Sequence, residues 1–256
     1  MNSRKKDKMN GLIKIVREEN SYLQQIKDTF AFNYVNRFKN DLVKMPSIYM
    51  ITPTKSRLTQ MADLIRLRNT LQMVPKLYWV LIEDSEKKSE RIANFLKESG
   101  IKYHHMAVKS PWTTEPKRFT FYRGSVQRNM ALKWIQSLKQ NDITIYFGDD
   151  DNSYDLQLFE EVNIFITLVG GLYYEKPVCQ NFKVVDYFFY YRKERKYPCD
   201  MGSFAFNISL IKKFPNAQFP VKYNGYLEQT FLQNFKIPLL NFEPKANMCS
   251  QVKILI

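Results

Sequence analysis

Short apolar runs alternate with amphipathic stretches from residue 46 onward. The apolar runs predict buried strands, and the stretches between them repeat apolar residues at helical spacing. The predicted strands cover residues 47–54, 76–84, 102–108 and 143–152, and the predicted helices cover 58–71, 85–100 and 123–140. Strands that alternate with helices of this length are typical of a largely parallel sheet. We therefore predict an α/β domain with a mixed, mostly parallel sheet flanked by helices.

Two of these helices allow more detailed predictions. Ser85 is the expected N-cap of the helix over 85–100, and Gly100 is expected to end it. In the helix over 123–140 the apolar side chains should face inward. These are Val126, Met130, Trp134 and Leu138.

The second half of the chain is richer in strands and aromatic residues. Strands are predicted over 163–174, 182–191 and 203–209, and a short helix over 225–235. No Gly/Ser linker divides the chain after residue 46, so 47–152 and 153–256 should be halves of one domain over 47–256. Residues 1–46 differ in texture, being basic with a loose helical repeat, and predict an N-terminal arm or stem.

Composition excludes several classes of protein. Two adjacent histidines, His104 and His105, argue against a histidine metal site or a Ser-His-Asp triad, and three separated cysteines exclude a disulfide scaffold or a four-cysteine zinc module. The glycine loops that bind nucleotides are absent, and no run approaches the length of a membrane span. With 39 Lys+Arg against 25 Asp+Glu, the formal charge of +14 indicates an anionic partner or serves solubility.

Polar side chains cluster where three predicted strands end. They are Thr52-Pro53-Thr54, Glu83-Asp84 and Asp149-Asp150-Asp151. Ligands of such sheets bind beyond the carboxyl ends of the strands, so these clusters should meet in one crevice. Three adjacent carboxylates repel one another unless a cation lies among them, and Mg²⁺ or Mn²⁺ is commonly held by one or two carboxylates and substrate phosphates. The alternative is an Asp/Asn turn that caps the next helix.

Three other charged residues are candidates for chemistry. Arg123 and Arg128 lie near a predicted helix start, where they could contact phosphate together with backbone N–H groups, or else form a solvated face. Glu228 lies near the start of the last predicted helix. A carboxylate there is either a general base or a partner of the helix dipole.

The order and spacing of ten short motifs resemble the animal β1,3-glucuronosyltransferases of glycosyltransferase family 43. The resemblance covers roughly residues 47–254. The motifs are IYMITPT, RLTQMADLIRLRNTL, YWVLIED, QRNMALKWI, YFGDDDNSY, LFEE, LVGGL, DMGSFAF, PNAQF and EPKAN. It implies a glycosyltransferase A-like fold and a catalytic domain over 47–256, with donor-binding and acceptor-binding halves. It also implies a Golgi membrane enzyme facing the lumen, although this chain shows no anchor segment.

The resemblance further implies an activity. The enzyme would be Mn²⁺-dependent and inverting, and would move glucuronic acid from UDP-glucuronate to the 3-hydroxyl of a terminal galactose on a proteoglycan linker or related glycan. Glu228 would be the catalytic base and Asp151 the Mn²⁺ ligand. The donor would be held by Thr52, Pro53, Asp84, Arg123, Arg128, Asp149 and Asp150. The acceptor would be held by Glu175, Tyr191, Arg195 and Asp200.

The chain also departs from the family pattern. Lys55 replaces an aromatic residue that stacks on uracil, Asn224 replaces an arginine, and Ile256 occupies the place of a histidine that helps hold the diphosphate. The family's C-terminal tail is absent beyond Ile256, which would weaken the homodimer. The alternative is therefore a catalytically weakened member that acts as a glycan-binding or partner subunit. A nucleic-acid-binding protein or metal nuclease is the remaining rival, but no nucleic-acid motif supports it.

Overall fold

The computed structural model describes residues 45–111, 124–161, 167–168, 175–189, 195–221, 226–250 and 254–255. The predicted N-terminal arm lies outside these residues except for its last two, and its boundary stays a prediction. Residues Met45–Ile256 form one unit. No helix within the described ranges is long and apolar enough to cross a bilayer.

Strands and helices alternate through the first half of this unit. The strands are β1 Ser47–Thr54, β2 Leu77–Glu83, β3 Lys102–Ala107, β4 Ile143–Phe147, β5 Ser153–Tyr154, β6 Thr167–Leu168, β7 Glu175–Gln180, β8 Lys183–Phe189, β9 Phe204–Asn207, β10 Glu243–Pro244 and β11 Ile254–Leu255. The helices are α1 Gln60–Leu71, α2 Glu90–Lys97, α3 Ser125–Gln136, α4 Leu156–Glu161, α5 Ile208–Lys213, α6 Leu227–Gln233 and α7 Ala246–Cys249, with 3₁₀ turns at Met201–Ser203 and Leu239–Asn241.

Seven of the described strands form one sheet in the order β10-β6-β9-β4-β1-β2-β3, and the other four form two separate pairs, β5 with β11 and β7 with β8. Strands β1 to β4 are mutually parallel, and β9 runs antiparallel to both β4 and β6. The predicted mixed, mostly parallel sheet flanked by helices is therefore confirmed. Because β1, β2 and β4 are in register, their carboxyl ends lie at one edge of the sheet.

Alternate residues of the central strand feed two hydrophobic clusters. Tyr49 and Ile51 of β1 pack in the cluster that includes α3, α5 and α6, whereas Ile48 and Met50 pack in the cluster that includes α1 and α2. This is the period of two expected for a strand buried on both faces. The two layers of helices hold the sheet between them and leave its carboxyl edge as the place for a site.

The strand predicted over 203–209 is wrong at its end. Strand β9 stops at Asn207, and Ile208 begins α5. The side chain of Asn207 accepts a hydrogen bond of 2.9 Å from the backbone N–H of Ser209, which is the contact of an N-cap. An apolar run that looks continuous is therefore divided by one capping residue.

Helix α2 begins later than the predicted cap allows. Ser89, not Ser85, is the N-cap, and α2 starts at Glu90. The carboxylate of Glu83 accepts from the N–H and the hydroxyl of Ser89 at 2.8 and 2.7 Å, which fixes the helix start against the end of β2. The helix also ends earlier than predicted, at Lys97 with Glu98 as its C-cap, and Gly100 lies in the turn beyond it with a φ of +69°.

The inward face predicted for α3 is wrong for Met130, which is 38% exposed. Trp134 and Leu138 are only partly buried, but they pack against the core as predicted. The residues that face the domain are Ser125, Gln127, Arg128, Ala131, Leu132 and Ile135. Polar side chains of the first turn of α3 are buried because they bind groups at the strand ends. The apolar pattern alone therefore predicted the wrong buried face for this turn of the helix.

One disulfide joins two distant parts of the chain. Cys179 in β7 is bonded to Cys249, with a sequence separation of 70 and 6.2 Å between the Cα atoms. The bond fastens the β7–β8 hairpin to the turn at Ala246–Cys249, and Cys199 is buried and takes no part in this bond. Three widely spaced cysteines gave no indication of this pairing.

Candidate active site

The three polar strand ends meet at the carboxyl edge of the sheet, as predicted. The carbonyl of Thr54 accepts from the N–H of Asp84 at 2.8 Å, which joins the end of β1 to the residue after β2. The hydroxyl of Thr54 donates to Oδ2 of Asp150 at 2.6 Å, which joins β1 to the loop after β4. Thr54 is thus the centre of the crevice floor.

The carboxylate of Asp150 is buried and held by two donors. Besides Thr54, Arg57 donates to Oδ2 at 2.8 Å, and Gln60 donates to the Thr54 hydroxyl at 3.0 Å. The pKa of Asp150 is raised, mainly by burial and in small part by the negative charge of Asp151. The hydrogen bonds from Arg57 and Thr54 and the positive charge of Arg57 oppose this shift. Arg57 was not predicted, since it is one basic residue among many in sequence.

Asp84 is held by the segment that follows β3. Its Oδ1 accepts from the N–H of Ser110 at 2.8 Å, and its Oδ2 accepts from the Ser110 hydroxyl at 2.9 Å. Gln127 in α3 donates to the same hydroxyl at 3.2 Å. Asp84 therefore lies in the crevice in a fixed orientation, and neither Ser110 nor Gln127 was predicted as a site residue.

Arg128 forms an ion pair with Asp149 across the crevice. The arginine side chain is 3% exposed, whereas that of Asp149 is 33% exposed, so the pair presents its carboxylate side to the crevice. Gly124 precedes α3 with a φ of +76°, and a Cβ there would lie 2.9 Å from both Nη1 of Arg128 and Cγ of Pro53. Glycine is required where the backbone passes between these two side chains. Arg123 lies outside the described residues.

Glu228 lies in the first turn of α6. Burial raises the pKa of this carboxyl to about 7. The negative charges of Asp200 and Asp149 also raise this pKa, whereas the backbone N–H of Glu228 and the positive charge of Arg128 lower it. The charges of Arg128, Asp149 and Asp200 therefore all act on the carboxyl of Glu228. A carboxyl with a pKa near neutrality in such a place is suited to accept a proton.

Asp200 is the fourth member of this group. The pKa of Asp200 is raised, mainly by burial and then by the negative charge of Asp149. The backbone N–H groups of Gly202 and Met201 and the positive charge of Arg128 oppose this shift. We call Arg128, Asp149, Asp200 and Glu228 the central cluster. In this cluster the buried guanidinium of Arg128 is the one positive group, and the other three members are carboxyl groups.

Three packed phenylalanine rings support the residues of the central cluster. Phe147 ends β4 next to the aspartates, and Phe231 lies one turn after Glu228 in α6, with the two ring centroids 5.7 Å apart. Phe219 packs on both rings, at 5.1 Å from Phe147 and 4.2 Å from Phe231. Apolar packing therefore sets the position of Glu228 relative to the aspartates.

The predicted acceptor residues are described only in part. Arg195 is half-buried, and the next residue, Lys196, donates its N–H to the side chain of Gln229 at 2.6 Å. The segment leading to Asp200 is thereby tied to α6 beside Glu228. Glu175 is the first residue of β7, but its side chain lies outside the described part of the chain, as does the whole of Tyr191.

Two predicted donor residues differ in their access to the crevice. Thr52 is fully buried, and its hydroxyl accepts from Nε1 of Trp79 at 3.0 Å, so its side chain belongs to the core and cannot contact a donor. Pro53, in contrast, is partly exposed beside Gly124. Sequence alone could not distinguish them, because the side chains of a strand alternate between faces.

Asp151 is exposed, and its backbone carbonyl accepts from Arg66 at 2.7 Å. Within the described ranges no group of three or more His, Cys, Asp or Glu side chains could hold a metal ion by itself. A single accessible carboxylate does fit a Mn²⁺ or Mg²⁺ whose other ligands are substrate phosphates and water. Lys55 is exposed, and Asn224 and Ile256 lie outside the described residues.

The sheet and the crevice at its edge define a glycosyltransferase A-like fold. A crystal structure of S. aureus TarS is similar in fold, with a TM-score of 0.52 and 11% sequence identity over 81% of this chain and 59% of that one. A family model described as glycosyltransferase family 43 matches residues 67–256. The chain belongs to this family.

Relatives of known name agree with the assignment. The chain is 40% identical to galactosylgalactosylxylosylprotein 3-beta-glucuronosyltransferase sqv-8 of Caenorhabditis elegans, over 82% of this chain and 63% of that protein. It is 37% identical to galactosylgalactosylxylosylprotein 3-beta-glucuronosyltransferase 2 of Rattus norvegicus, over 82% of this chain and 68% of that protein. The chain thus spans about two thirds of the length of these relatives.

Proposed function

We propose that the protein is an inverting, Mn²⁺-dependent glycosyltransferase. It moves glucuronic acid from UDP-glucuronate to the 3-hydroxyl of a terminal galactose on a proteoglycan linker or related glycan. The observation that carries this proposal is the position of Glu228 in α6, the helix that packs through Phe231 on Phe147 at the end of β4, next to the aspartates. Its pKa, raised by burial to about 7, supports the same role. The names of the relatives support the sugar and the linkage.

Glu228 acts as the general base. Transfer with inversion needs a base that takes the proton of the acceptor hydroxyl as that oxygen attacks the anomeric carbon from the face opposite the nucleotide. A carboxyl with a pKa near 7 is about half ionised at neutral pH, and its ionised form binds a proton more strongly than an ordinary glutamate does. Asp200 and Arg195, which are joined to α6 through Lys196 and Gln229, orient the acceptor sugar.

The donor lies over the carboxyl edge of the sheet. Asp84 and Pro53 contact the uridine, Arg128 draws negative charge toward the first turn of α3, and the N–H groups of that turn are suited to a phosphate. Asp149 and Asp150 border the donor sugar. Asp151 would hold Mn²⁺, and the ion would offset the negative charge that develops on UDP.

The disulfide supports a location in the secretory pathway. Bonds such as Cys179–Cys249 form and persist in oxidising compartments and are rare in the cytosol. We include the Golgi lumen in the proposal on this ground. The disulfide is independent of the family resemblance, because it follows from the placement of two cysteines.

A donor-by-acceptor screen with and without Mn²⁺ tests the proposal. UDP-glucuronate and a galactose-terminated disaccharide should give product only with the metal present, and Glu228→Gln should abolish transfer while it leaves UDP affinity within about twofold, since the base does not contact the nucleotide. Glu98→Gln, an exposed residue after α2, is the matched control and should keep full activity. Transfer by Glu228→Gln at the wild-type rate would remove Glu228 as the base.

Lys55 favours a second candidate function. It is exposed where the family has a ring that stacks on uracil, and a flexible ammonium group cannot replace that contact. A catalytically weakened member would bind the acceptor glycan without the nucleotide. Calorimetry with UDP and Mn²⁺, and separately with the disaccharide, distinguishes this candidate from the enzyme.

A further inference from the structure

We propose that Ser110 is a positioning residue that sets the carboxylate of Asp84 to select uracil over cytosine. The inference rests on the proposed function, in which Asp84 faces the base of the donor nucleotide. Three residues carry it, and we call Gln127, Ser110 and Asp84 the amide–hydroxyl–carboxylate relay. The relay joins the first turn of α3 to the end of β2.

Both oxygens of Asp84 are held by the same residue. Oδ1 accepts from the backbone N–H of Ser110 at 2.8 Å, and Oδ2 accepts from its hydroxyl at 2.9 Å. Two donors on two oxygens fix the plane of a carboxylate as well as its position. The backbone of Asp84 is also fixed, because its N–H donates to the carbonyl of Thr54 at 2.8 Å.

Gln127 determines where the proton of the Ser110 hydroxyl points. Its Nε2 donates to the carbonyl of Val108 at 2.9 Å, and a carbonyl only accepts, so the nitrogen of the amide must face this side. The same Nε2 donates to the Ser110 hydroxyl at 3.2 Å. With that lone pair occupied, the hydroxyl gives its one proton to Asp84. Gln127 is 1% exposed, so water does not compete for the contact.

The chemistry of the two bases turns this orientation into selectivity. N3 of uracil carries a hydrogen and donates, whereas N3 of cytosine has a lone pair and accepts. A carboxylate that accepts from Ser110 at both oxygens offers its remaining lone pairs to the base. Uracil therefore gains a charge-assisted hydrogen bond to Asp84. With cytosine, N3 and the carboxylate oxygen are both acceptors, so no hydrogen bond forms between them. If the carboxylate can turn, this difference between the bases is reduced.

A similar arrangement lies at the end of β1 in the same protein. Gln60 in α1 donates to the Thr54 hydroxyl at 3.0 Å, and that hydroxyl donates to Asp150 at 2.6 Å. In both places a glutamine from the first turn of a helix orients a hydroxyl, which then holds a carboxylate at a strand end.

The test compares UDP and CDP binding by calorimetry in the presence of Mn²⁺. Ser110→Ala should lose about 3- to 10-fold in UDP affinity, because a carboxylate that can turn must be ordered when it binds uracil, while CDP affinity stays within about twofold. Ser110→Thr keeps the hydroxyl and should restore the wild-type preference. In the transfer reaction Ser110→Ala should raise KM for the donor and leave kcat nearly unchanged. Ser137→Ala removes an exposed hydroxyl that bonds to the Trp134 carbonyl and is the matched control.

Each outcome is decisive. Wild-type affinity for UDP in Ser110→Ala, or an equal loss for UDP and CDP, overturns the selective role of Ser110. Should Ser110→Ala not fold, as judged by thermal melting, Gln127→Met removes the amide donor at similar size and must give the same loss of preference. If the wild-type protein binds neither nucleotide, the proposed donor site itself is wrong and the relay falls with it.

Discussion

Phe219 stacks on Phe231 with ring centroids 4.2 Å apart and ring planes inclined by 13°. The guanidinium carbon of Arg128 lies 5.9 Å from the centroid of the same Phe219 ring. Asn129 in α3 holds the backbone of Phe219, accepting from its N–H at 2.8 Å and donating to its carbonyl at 2.9 Å. Phe219 thus connects α6, which carries Glu228, to the Arg128–Asp149 pair, and the two sides of the proposed reaction share one apolar support.

Shortening this ring should impair the donor side more than stability alone explains. Phe219→Leu removes ring contacts with Arg128 and Phe231 and should cost about 1–3 kcal/mol of unfolding free energy. KM for the donor should rise several-fold at a temperature well below unfolding. Phe206→Leu in the same cluster, where Phe206 packs on Phe147 and Phe231, is the control for lost packing. An equal rise of KM in both variants would contradict the specific role of Phe219.

The sheet was predictable because its strands are short, apolar and separated by helices. Strand β1 occupies the predicted range, β2 is shorter than predicted by one residue at each end, and β3 is shorter by one residue at its carboxyl end. Errors arose where a side chain outweighed the apolar pattern. Asn207 ended β9 by capping α5, and Ser89 capped α2 because Glu83 held it. Such contacts depend on residues brought together by folding.

The position of the candidate site in the fold was predictable, but many of its individual residues were not. Strand ends of a parallel sheet meet by topology, so Asp84 and Asp150 were expected together. The supporting residues Gln127 and Ser110 were not, since a buried glutamine in a helix carries no periodic signal. The buried face of the first turn of α3 was missed for the same reason, because this turn buries polar groups that serve the site.

The raised pKa of Glu228 predicts a pH dependence of the transfer. The base must be ionised, so kcat/KM should rise as pH increases through about 7 and level off above it. A pH–rate profile from pH 5 to 9 measures this limb. An acid limb centred near pH 4.5, the ordinary value for Glu, would show that Glu228 is not the titrating base.

The same group affects stability with a definite sign. A carboxyl whose folded pKa exceeds its unfolded value binds more protons in the folded state between the two values, so stability falls as pH rises from about 4.5 to about 7. Glu228→Gln lacks this titration. Urea unfolding should therefore find Glu228→Gln more stable than wild type at pH 8, with a smaller difference at pH 5. No change in that difference with pH would contradict the raised pKa.

Asp151 should be required for metal-dependent nucleotide binding. Asp151→Ala removes the accessible carboxylate of the aspartate triplet and should reduce UDP affinity in the presence of Mn²⁺ to the level found with EDTA. Isothermal calorimetry of UDP with and without Mn²⁺ measures the effect. Asp142→Asn, at the opposite end of β4, is an exposed control and should bind as wild type does. Full Mn²⁺-dependent affinity in Asp151→Ala would exclude Asp151 as the ligand.

Thr54→Val should destabilise the crevice floor although the residue keeps its shape. The change removes the donor to Asp150 and leaves Gln60 without that acceptor, and it should cost about 1–3 kcal/mol in urea unfolding. Thr54→Ser restores the hydroxyl and should recover most of the loss. Thr70→Val, on the half-exposed side of α1, is the matched control. Equal stability of Thr54→Val and wild type would mean that the contact to Asp150 contributes nothing.

The disulfide predicts a coupled effect of two cysteine substitutions. Cys179→Ser and Cys249→Ser should each lower the unfolding free energy by about 2–4 kcal/mol, because either one opens a loop of 70 residues. The double variant should lose no more than one single variant, since the bond is lost only once. Urea unfolding without reductant measures the three values, and alkylation of the unfolded wild type should modify Cys199 alone. Additive losses, or alkylation of all three cysteines, would show that Cys179 and Cys249 are not bonded.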